Sequence, residues 1–409
     1  MVLKRIVAMA LTAVFFCMSF SVSVSAETER NNMKQKITAI LSAAMIFLSA
    51  CSASPSDSFI GTAFYNSAVY DNYVISINSN RILTYYDLSE GTSSPACTTA
   101  GCDHSDPKSC TANLNGTLSR FPFRYGENIY YTEYSLDGEN VSTLYKCSLN
   151  GGNRESIYVI KSQKIDENIF SAPMVISTFL SDGVFYMLIG EDIYEADDDP
   201  FGKDTSIKSK STNYRIVSCE LNSGNCKEIY STGYCYDSDF TMFGVYNGVI
   251  YCSRKYNRNE YVFETQEDFL ASANDVNSDY NKSKVKCYLY IDSSTGTAEE
   301  KEYDGGNYSI GKCGAYRFLD GRLLNAENEL IAENVQTVFA VSEGVIFDNG
   351  LKNFLYNGKS TTELNLADGY NICGESKDYL LFYKPDNSGY VYCKKSDYYK
   401  GKTEYSTLE

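Results

Sequence analysis

Short hydrophobic runs, each introduced by one or two turn residues, recur along the chain after residue 58. A turn residue followed by three β-forming residues occurs seven times, at Asp71–Ile75, Glu127–Tyr131, Asp182–Tyr186, Asn247–Tyr251, Asp320–Leu324, Glu343–Phe347 and Lys377–Leu381. Short runs of this kind between turns are typical of β-strands, and no long stretch follows the 3.6-residue period of a helix. The pattern therefore predicts an all-β protein built from repeated units.

Several copies are followed by a further strand that ends in a glycine turn, at Leu144–Gly152, Arg215–Gly224 and Tyr288–Gly296. Asn or Asp shortly before Gly suits a type I turn followed by a left-handed residue, which joins antiparallel strands. Repeated units of four short strands are typical of a β-propeller, in which only short strand edges are left unpaired. We predict a β-propeller domain over residues 59–409.

The number of copies predicts seven blades, with six or eight as alternatives, because the copies at Asp320 and Glu343 lie only 23 residues apart. We expect the first strand, near Phe59–Tyr65, to close the ring against the last, near Lys402–Leu408. The polar stretches Ile193–Ser211 and Phe263–Lys284 are predicted to be exposed loops inserted between strands.

The repeat resembles the YWTD-like propellers of low-density-lipoprotein-receptor type and those of clostridial surface lipoproteins. The resemblance rests on Ile129-Tyr-Tyr-Thr132, Leu144-Tyr-Lys146 and Asn150-Gly-Gly-Asn153, all within Phe121–Val159. The chain departs from the motif in having no Trp. The resemblance implies a β-propeller displayed at a bacterial cell surface.

Residues 33–51 have the parts of a bacterial export signal. A basic start, Met33–Lys36, precedes the apolar run Ile37–Leu48 and the sequence Leu48-Ser-Ala-Cys51. The apolar run is too short to span a membrane as a helix, which takes about 20 residues. Leu-Ser-Ala-Cys resembles a lipobox, which implies cleavage before Cys51 and attachment of a lipid to its thiol.

This interpretation divides the N-terminal region into a signal peptide, residues 33–50, and a lipidated tether, residues 51–58. It places the protein at the outer face of the bacterial cytoplasmic membrane, anchored by lipid. The alternative is a plain signal peptide in which Cys51 is incidental. Residues 1–32 contain a second signal-like unit, and we hypothesise that translation begins at Met33.

The balance of charge makes nucleic acid an improbable partner. The chain has 52 acidic and 36 basic residues and a net charge of −16. Binding to a phosphate backbone depends on Lys and Arg displacing counterions, which a strongly acidic protein disfavours. We therefore expect partners other than DNA or RNA.

Three cysteines and the only histidine of the chain lie within fourteen residues, at Cys97, Cys102, His104 and Cys110. Three thiolates and one imidazole would complete a closed, structural zinc site. The alternatives are a disulfide, most easily Cys102–Cys110, or free thiols. The other cysteines after Cys51 look like small core residues, and Cys147 and Cys219 occupy equivalent places in different repeats.

Two acidic stretches resemble calcium ligands only partially. Asp275, Asn277, Asp279 and Asn281 alternate as in an EF-hand loop, but Tyr280 replaces the turn glycine and Lys286 replaces the bidentate glutamate. For this stretch and for Glu195–Asp199, we expect solvated loops rather than calcium sites.

No catalytic residue is predicted. The single imidazole lies among cysteines, which leaves no Ser/His/Asp or Cys/His device, and no phosphate-binding glycine motif is present. We expect a protein that is not an enzyme but a module binding a protein, peptide or glycan, with Tyr130–Tyr134 or Tyr398–Tyr399 as contact residues unless they are core residues. The alternatives are a glycan-active hydrolase or lyase using paired carboxylates, and a scaffold for envelope assembly.

Overall fold

The computed structural model describes residues 59–64, 67–78, 80–106, 108–114, 118–135, 141–162, 164–166, 169–195, 207–208, 211–386 and 389–408. Residues 1–32, the signal segment 33–50, the tether 51–58 and the lipidation residue Cys51 lie outside this part. The described part consists mostly of four-stranded antiparallel sheets, which confirms the prediction that the protein is all-β. None of its helices is long and apolar enough to cross a membrane.

The first two sheets follow chain order throughout. Sheet 1 contains β1 (Phe59–Phe64), β2 (Ser67–Tyr70), β3 (Tyr73–Ile77), β4 (Leu83–Asp87) and β5 (Thr92–Pro95). Sheet 2 contains β6 (Leu118–Tyr125), β7 (Asn128–Ser135), β8 (Val141–Ser148) and β9 (Glu155–Ile160).

Sheet 3 has eight strands in the order β10-β11-β12-β14-β15-β16-β18-β19. They are β10 (Lys164–Asp166), β11 (Ile169–Ser181), β12 (Val184–Glu195), β14 (Ser211–Glu220), β15 (Asn225–Tyr246), β16 (Val249–Asn257), β18 (Lys284–Asp292) and β19 (Ala298–Glu302). A separate two-stranded ribbon is formed by β13 (Ile207–Lys208) and β17 (Val262–Phe263).

The last three sheets again follow chain order. Sheet 4 contains β20 (Asn307–Gly311), β21 (Gly314–Leu319), β22 (Arg322–Leu324) and β23 (Leu330–Ala332). Sheet 5 contains β24 (Thr337–Val341), β25 (Gly344–Asp348), β26 (Lys352–Tyr356) and β27 (Thr361–Leu366). Sheet 6 contains β28 (Asn371–Glu375), β29 (Tyr379–Tyr383), β30 (Tyr390–Lys394) and β31 (Ser406–Leu408).

Strand β15 makes sheet 3 twice the usual size. It is 22 residues long, and its part Asn225–Tyr236 pairs with β14 whereas its part Tyr236–Tyr246 pairs with β16. Sheet 3 thus consists of two halves that share one continuous strand.

When the edge strands β1 and β10 are left aside and sheet 3 is divided at β15, each sheet or half-sheet is a unit of four strands. Six of the seven sequence copies begin the second strand of such a unit, namely β3, β7, β12, β16, β25 and β29. The copy at Asp320 instead begins β22, the third strand of sheet 4, and the second strand β21 starts at Gly314. Asp320 and Gly321 both have positive φ angles, 49° and 74°, as in a type I′ hairpin turn. The repeat unit therefore marks any tight hairpin, and this explains the short spacing to the copy at Glu343.

Buried apolar residues form clusters between neighbouring sheets. Representative pairs are Ile77 and Ile129 between sheets 1 and 2, Phe123 and Phe185 between sheets 2 and 3, Leu188 and Ile250 between the halves of sheet 3, Phe243 and Ile310 between sheets 3 and 4, Tyr316 and Phe347 between sheets 4 and 5, Phe339 and Phe382 between sheets 5 and 6, and Val69 and Leu381 between sheets 6 and 1. Each sheet thus buries its apolar faces against its neighbours.

The first and last strands, which we expect to close the ring against each other, do not pair directly. β1 pairs with β2, and β31 pairs with β30. Sheets 1 and 6 meet through the apolar cluster containing Val69 and Leu381, and the Tyr86 hydroxyl donates to the carbonyl oxygen of Thr407 at 3.2 Å. Side-chain contacts, and not a shared backbone ladder, therefore join sheets 1 and 6.

The second insertion is only partly a loop. It contains helix α1 (Gln266–Asn274) and a short helix α2 (Asp279–Lys282). The Thr265 hydroxyl accepts a hydrogen bond from the Asp268 amide, and acidic residues occupy the first turn, which together stabilise the start of α1. The first insertion meets the second through the β13–β17 ribbon.

An ion-pair network joins sheets 5 and 6. Glu375, only 1% exposed, accepts a hydrogen bond from the Ser342 amide at 2.9 Å and forms an ion pair with Lys395 in helix α3 (Lys395–Tyr398). Lys395 also pairs with Glu343 at 2.9 Å. Although burial acts to lower it, the charges of Glu375 and Glu343 raise the pKa of Lys395, so the buried ammonium stays charged.

We expect Glu375→Gln to lower the free energy of unfolding by about 3 kcal/mol, because it leaves the buried Lys395 charge with a single carboxylate partner. Urea unfolding followed by tyrosine fluorescence measures the change. Glu363→Gln is the matched control, since Glu363 pairs with Lys352 at 2.6 Å on the surface and its loss should cost less than about 1 kcal/mol. Equal effects of the two substitutions would show that the network contributes no more than a surface pair.

Candidate metal centre

The predicted Cys/His cluster lies in residues 96–114, the segment that connects sheet 1 to sheet 2. Backbone hydrogen bonds attach it to the hairpin between β3 and β4: the Leu83 amide donates to Ala112 O and the Leu114 amide to Arg81 O, both at 2.9 Å. These bonds fix the end of the segment against sheet 1 although it contains no regular strand.

Sheet 2 holds the same segment from the other side. The Arg154 guanidinium donates to the carbonyl oxygens of Thr111 and Asn113 at 2.7 and 2.6 Å. Gly151, in the turn after β8, has a φ of 74° and lies so close that a Cβ would collide with the Thr111 carbonyl. The segment is therefore hydrogen-bonded to both sheets.

Within this segment, the structure brings all four predicted ligands together. One ligand atom each from Cys97, Cys102, His104 and Cys110 lies within 4.8 Å of the others. His104 Nδ1 is 3.2 Å from Cys110 Sγ, and the three thiols are not bridged. This arrangement could hold a metal ion.

Turns in the backbone position the donors. The Cys110 amide donates to Asp106 O at 2.9 Å, and the Cys102 amide donates to Thr99 O at 3.3 Å. His104 adopts a left-handed conformation with a φ of 61°, which is uncommon outside glycine. The Asn113 side-chain amide donates to His104 O at 3.1 Å and supports this conformation.

The thiols differ in their tendency to ionise. The backbone N–H of Thr99 lowers the pKa of the Cys97 thiol to about 6. For Cys102, the backbone N–H of His104 acts to lower the pKa, but burial and the neighbouring Cys110 and Cys97 raise it overall. Closely spaced thiolates repel one another, and a bound cation removes that repulsion.

Cys147 shows the contrast with a core cysteine. It lies in the apolar cluster between sheets 1 and 2, to which Cys110 also belongs. Burial raises the pKa of the Cys147 thiol to about 12, so this thiol stays protonated and serves as a small apolar side chain.

Cys219 differs from Cys147 although the two were placed in equivalent positions. Cys219 is buried in the core but forms a disulfide with Cys226, its direct partner across β14 and β15. In sheet 2, the cross-strand neighbours of Cys147 offer no second cysteine. The two cysteines look equivalent in the sequence, and the strand register distinguishes them.

The alternating Asp275–Asn281 stretch is part of the helical insertion. Asp275 caps the end of α1, and its carboxylate accepts from the Asn277 amide at 2.9 Å. The Asn281 side-chain amide donates to the carbonyl oxygens of Ser272, Ala273 and Asp275. Of the other acidic stretch, residues 196–199 lie outside the described part.

The tyrosine clusters proposed as contact residues are mainly core residues. Tyr130, Tyr131 and Tyr398 are at most 2% exposed. Tyr130 and Tyr131 are therefore inward-facing residues of β7, and Tyr398 is a buried residue of α3, whereas Tyr399 is half-buried.

No protein-family model and no curated protein sequence matches this chain. Among solved structures, it is similar to an acylaminoacyl peptidase of Pyrococcus horikoshii, with 12% identity, 84% of this chain and 51% of that chain covered, and a TM-score of 0.45. It is also similar to an oligogalacturonate lyase of Vibrio parahaemolyticus, with 9% identity, coverage of 84% and 95%, and a TM-score of 0.37. An ulvan lyase has 7% identity, coverage of 83% and 78%, and a TM-score of 0.36.

The chain spans about half the length of the peptidase. At these identities and scores the likeness extends to the fold at most, and no substrate or reaction is transferred from it. The neighbours are propeller-like, as the sequence predicted, but no family model supports the finer resemblance to YWTD-like propellers or clostridial lipoproteins.

The prediction that the protein is not an enzyme is contradicted by this comparison, because the neighbours include a peptidase and lyases. The sequence argument excluded only mechanisms that need an imidazole or a phosphate-binding loop. A propeller hosts many chemistries, and the fold therefore gives no ground for excluding catalysis.

The residues that support the site were missed at the sequence level. Asn113 and Arg154 hold the cluster segment through backbone carbonyls. Arg154 follows a glycine turn 40 or more residues after the cysteines, and nothing in the local sequence indicates that it reaches back to them.

We expect the purified protein to contain about one metal ion per chain, and Cys102→Ser to lose it and to melt at a lower temperature. Elemental analysis and thermal unfolding with and without a chelator measure both effects. Cys147→Ser is the matched control, a thiol of the same apolar cluster that should leave the metal content unchanged. A metal-free native protein whose mass is two hydrogens lower in this segment would instead establish the disulfide.

Proposed function

We propose that this protein is an extracytoplasmic, lipid-anchored β-propeller that binds a ligand at the bacterial cell envelope and is stabilised by a structural zinc ion. The observation that carries the metal-binding part of the proposal is the convergence of Cys97, Cys102, His104 and Cys110, whose ligand atoms lie within 4.8 Å of one another. The zinc ion would hold together the connection between the first two sheets.

Zinc is the metal that suits this donor set. Three sulfurs and one nitrogen are soft or borderline ligands, which favour zinc over calcium or magnesium. A tetrahedral site with Zn–S bonds of about 2.3 Å separates its ligand atoms by slightly less than about 4 Å, which is compatible with four atoms that all lie within 4.8 Å of one another. Four protein ligands leave no open position, so the role of the ion would be structural.

A closed ring of seven blades is part of the proposal. Counting the halves of sheet 3 separately gives seven units of four strands, with β1, β10 and the β13–β17 ribbon in addition. The apolar cluster between sheets 6 and 1 supports closure. The short spacing between the copies at Asp320 and Glu343, which suggested six blades, has another explanation: the copy at Asp320 begins the third strand of sheet 4 and not the second.

Attachment through a lipid on Cys51 is proposed from the lipobox-like sequence. The Cys219–Cys226 disulfide supports an oxidising compartment outside the cytoplasm, where such bonds persist. A metal ion would protect the clustered thiols of residues 97–110 from oxidation in that compartment.

We expect the wild-type protein to fractionate with membranes and Cys51→Ser to be released into the soluble fraction, because the thiol that receives the lipid is absent. Labelling with a fatty-acid analogue, followed by fractionation of the cells, measures both. Ser52→Ala is the control and should leave labelling unchanged. Equal labelling of Cys51→Ser and wild type would contradict the anchor.

The ligand would be a protein, peptide or glycan rather than a nucleic acid, in keeping with the net charge of −16. The most elaborate surface belongs to sheet 3, where β11 and β12 are 13 and 12 residues long and the two insertions join through the β13–β17 ribbon. Elaborations of this kind on a rigid scaffold commonly carry function.

A glycan-active enzyme is the second candidate, and one observation favours it. Glu133, half-buried in β7, has its pKa raised by burial, against the opposing charges of Arg154 and Arg81. A general acid needs a carboxyl group whose pKa is raised, and burial shifts Glu133 in that direction.

We expect the Cys51→Ser protein to bind a defined class of acidic or neutral glycan, or a peptide, on arrays. If it is an enzyme, incubation with the bound glycan would release new chain ends, and Glu133→Gln would reduce the rate by at least about 100-fold. Glu363→Gln is the control carboxylate in sheet 5. Binding without turnover supports the binding module. Turnover that Glu133→Gln leaves unchanged excludes Glu133 as the general acid. The absence of both binding and turnover contradicts the proposal that this protein binds such a ligand.

A further inference from the structure

Three lysines converge on one face of sheet 3, at the base of the helical insertion. Lys255 lies at the end of β16, and Lys284 and Lys286 lie at the start of β18. The insertion that carries α1 and α2 leaves the sheet between these two strand ends and returns to it there. The lysines are thus far apart in sequence and adjacent only through strand pairing.

The register places their side chains together. Lys255 is the direct cross-strand partner of Lys286, and Asn257 is the direct partner of Lys284. Partners that face each other across a ladder, and residues two apart along a strand, project from the same face of a sheet. Two like charges directly opposite each other destabilise a sheet, so the strand pairing itself gives no reason for this arrangement.

Within the described part of the chain, the carboxylates that oppose these lysines come from β15. Asp239 of β15 lies directly opposite Lys255, and Asp237 accepts a hydrogen bond from the Asn257 side chain at 3.1 Å. Both aspartates therefore approach from the β15 side, whereas Lys284 and Lys286 lie on the β18 side. Three ammonium groups face two carboxylates, and the excess positive charge lies on β18.

Lys284 is held in place by the insertion. Its Nζ donates to the Asn281 side-chain oxygen at 2.6 Å and lies 4.2 Å from the centre of the buried Tyr280 ring. Burial, together with Lys255 and Lys286, lowers the pKa of Lys284 to about 8, against the opposing effect of Asp237. The same physical causes, burial and Lys286, lower the pKa of Lys255.

We propose that Lys255, Lys284 and Lys286 form a binding site for an oxyanion, the carboxylate or phosphate group of a ligand. A bound oxyanion would relieve the repulsion between the lysines and accept charge-assisted hydrogen bonds from their ammonium groups. The site is a local positive region on a strongly acidic protein, which would orient an anionic ligand towards this face. It lies beside the joined insertions and is independent of the metal centre and of the lipid anchor.

Isothermal titration of the intact protein with inorganic phosphate and with citrate, at constant ionic strength, tests the proposal. We expect saturable binding of at least one anion, weakened about tenfold by Lys284→Gln and by Lys286→Gln. Lys286 is exposed, so its replacement keeps the test valid if Lys284→Gln disturbs the packing around Tyr280. Lys352→Gln, a lysine of sheet 5 that pairs with Glu363, is the matched control and should bind like wild type.

Proton uptake gives a second readout that a structural role would not produce. At pH 8 an anion that raises the pKa of Lys284 should draw in protons, visible as a different binding enthalpy in buffers of different ionisation enthalpy. At pH 6, where Lys284 is already charged, the uptake should be absent. Lys284→Arg should keep the affinity within about threefold and reduce the uptake at pH 8.

The outcomes separate the sources of the anion. Binding of phosphate alone indicates a phosphate-bearing ligand, and binding of citrate alone indicates a carboxylate-bearing one. The proposal is overturned if neither anion binds more tightly to wild type than to Lys286→Gln, or if Lys352→Gln weakens binding as much as Lys284→Gln does.

Discussion

Apolar packing between neighbouring sheets is the interaction on which the structure depends. A four-stranded sheet of this size has two faces and cannot cover either of them by itself. Among the described residues, the buried clusters combine side chains from successive sheets or, in one case, from the two halves of sheet 3. For example, Phe123 of sheet 2 lies against Phe185 of sheet 3, with ring centres 4.3 Å apart. The stability of any one sheet is therefore a property of the pair that it forms with its neighbours.

The metal-ligand segment lies where this packing is interrupted. Between sheets 1 and 2 the chain passes through residues 96–114, which contain turns instead of strands and contribute only a few apolar side chains, among them Ala112 and Leu114. Hydrogen bonds from Arg154 and to the β3–β4 hairpin, and a metal ion bound by the four donors, would supply the order that regular strands supply elsewhere. The network of Glu375, Lys395 and Ser342 has a comparable position between sheets 5 and 6.

The fold class was predictable because it depends on local patterns. A turn followed by β-forming residues identifies a hairpin whether it begins the second or the third strand, and for that reason the pattern does not distinguish the copy at Asp320 from the other six. The four donors of the cluster were predictable because they lie close together in sequence. Arg154, the Cys219–Cys226 pair and the three lysines depend on strand register, which no local pattern specifies. Helix α1 was missed because its sequence has no pronounced apolar stripe; the Thr265 cap and the packing of Phe269 against Phe263 and Tyr280 hold it in place.

The continuous strand β15 has a mechanical consequence for the molecule. Elsewhere, successive sheets are joined by loops, and two sheets linked in this way can shift slightly against each other while both hydrogen-bond ladders stay intact. The halves of sheet 3 are joined by one continuous strand of 22 residues. A displacement of either half is therefore transmitted directly to the other. Since both insertions emerge from these halves, the surface that they form is carried by a single stiff unit.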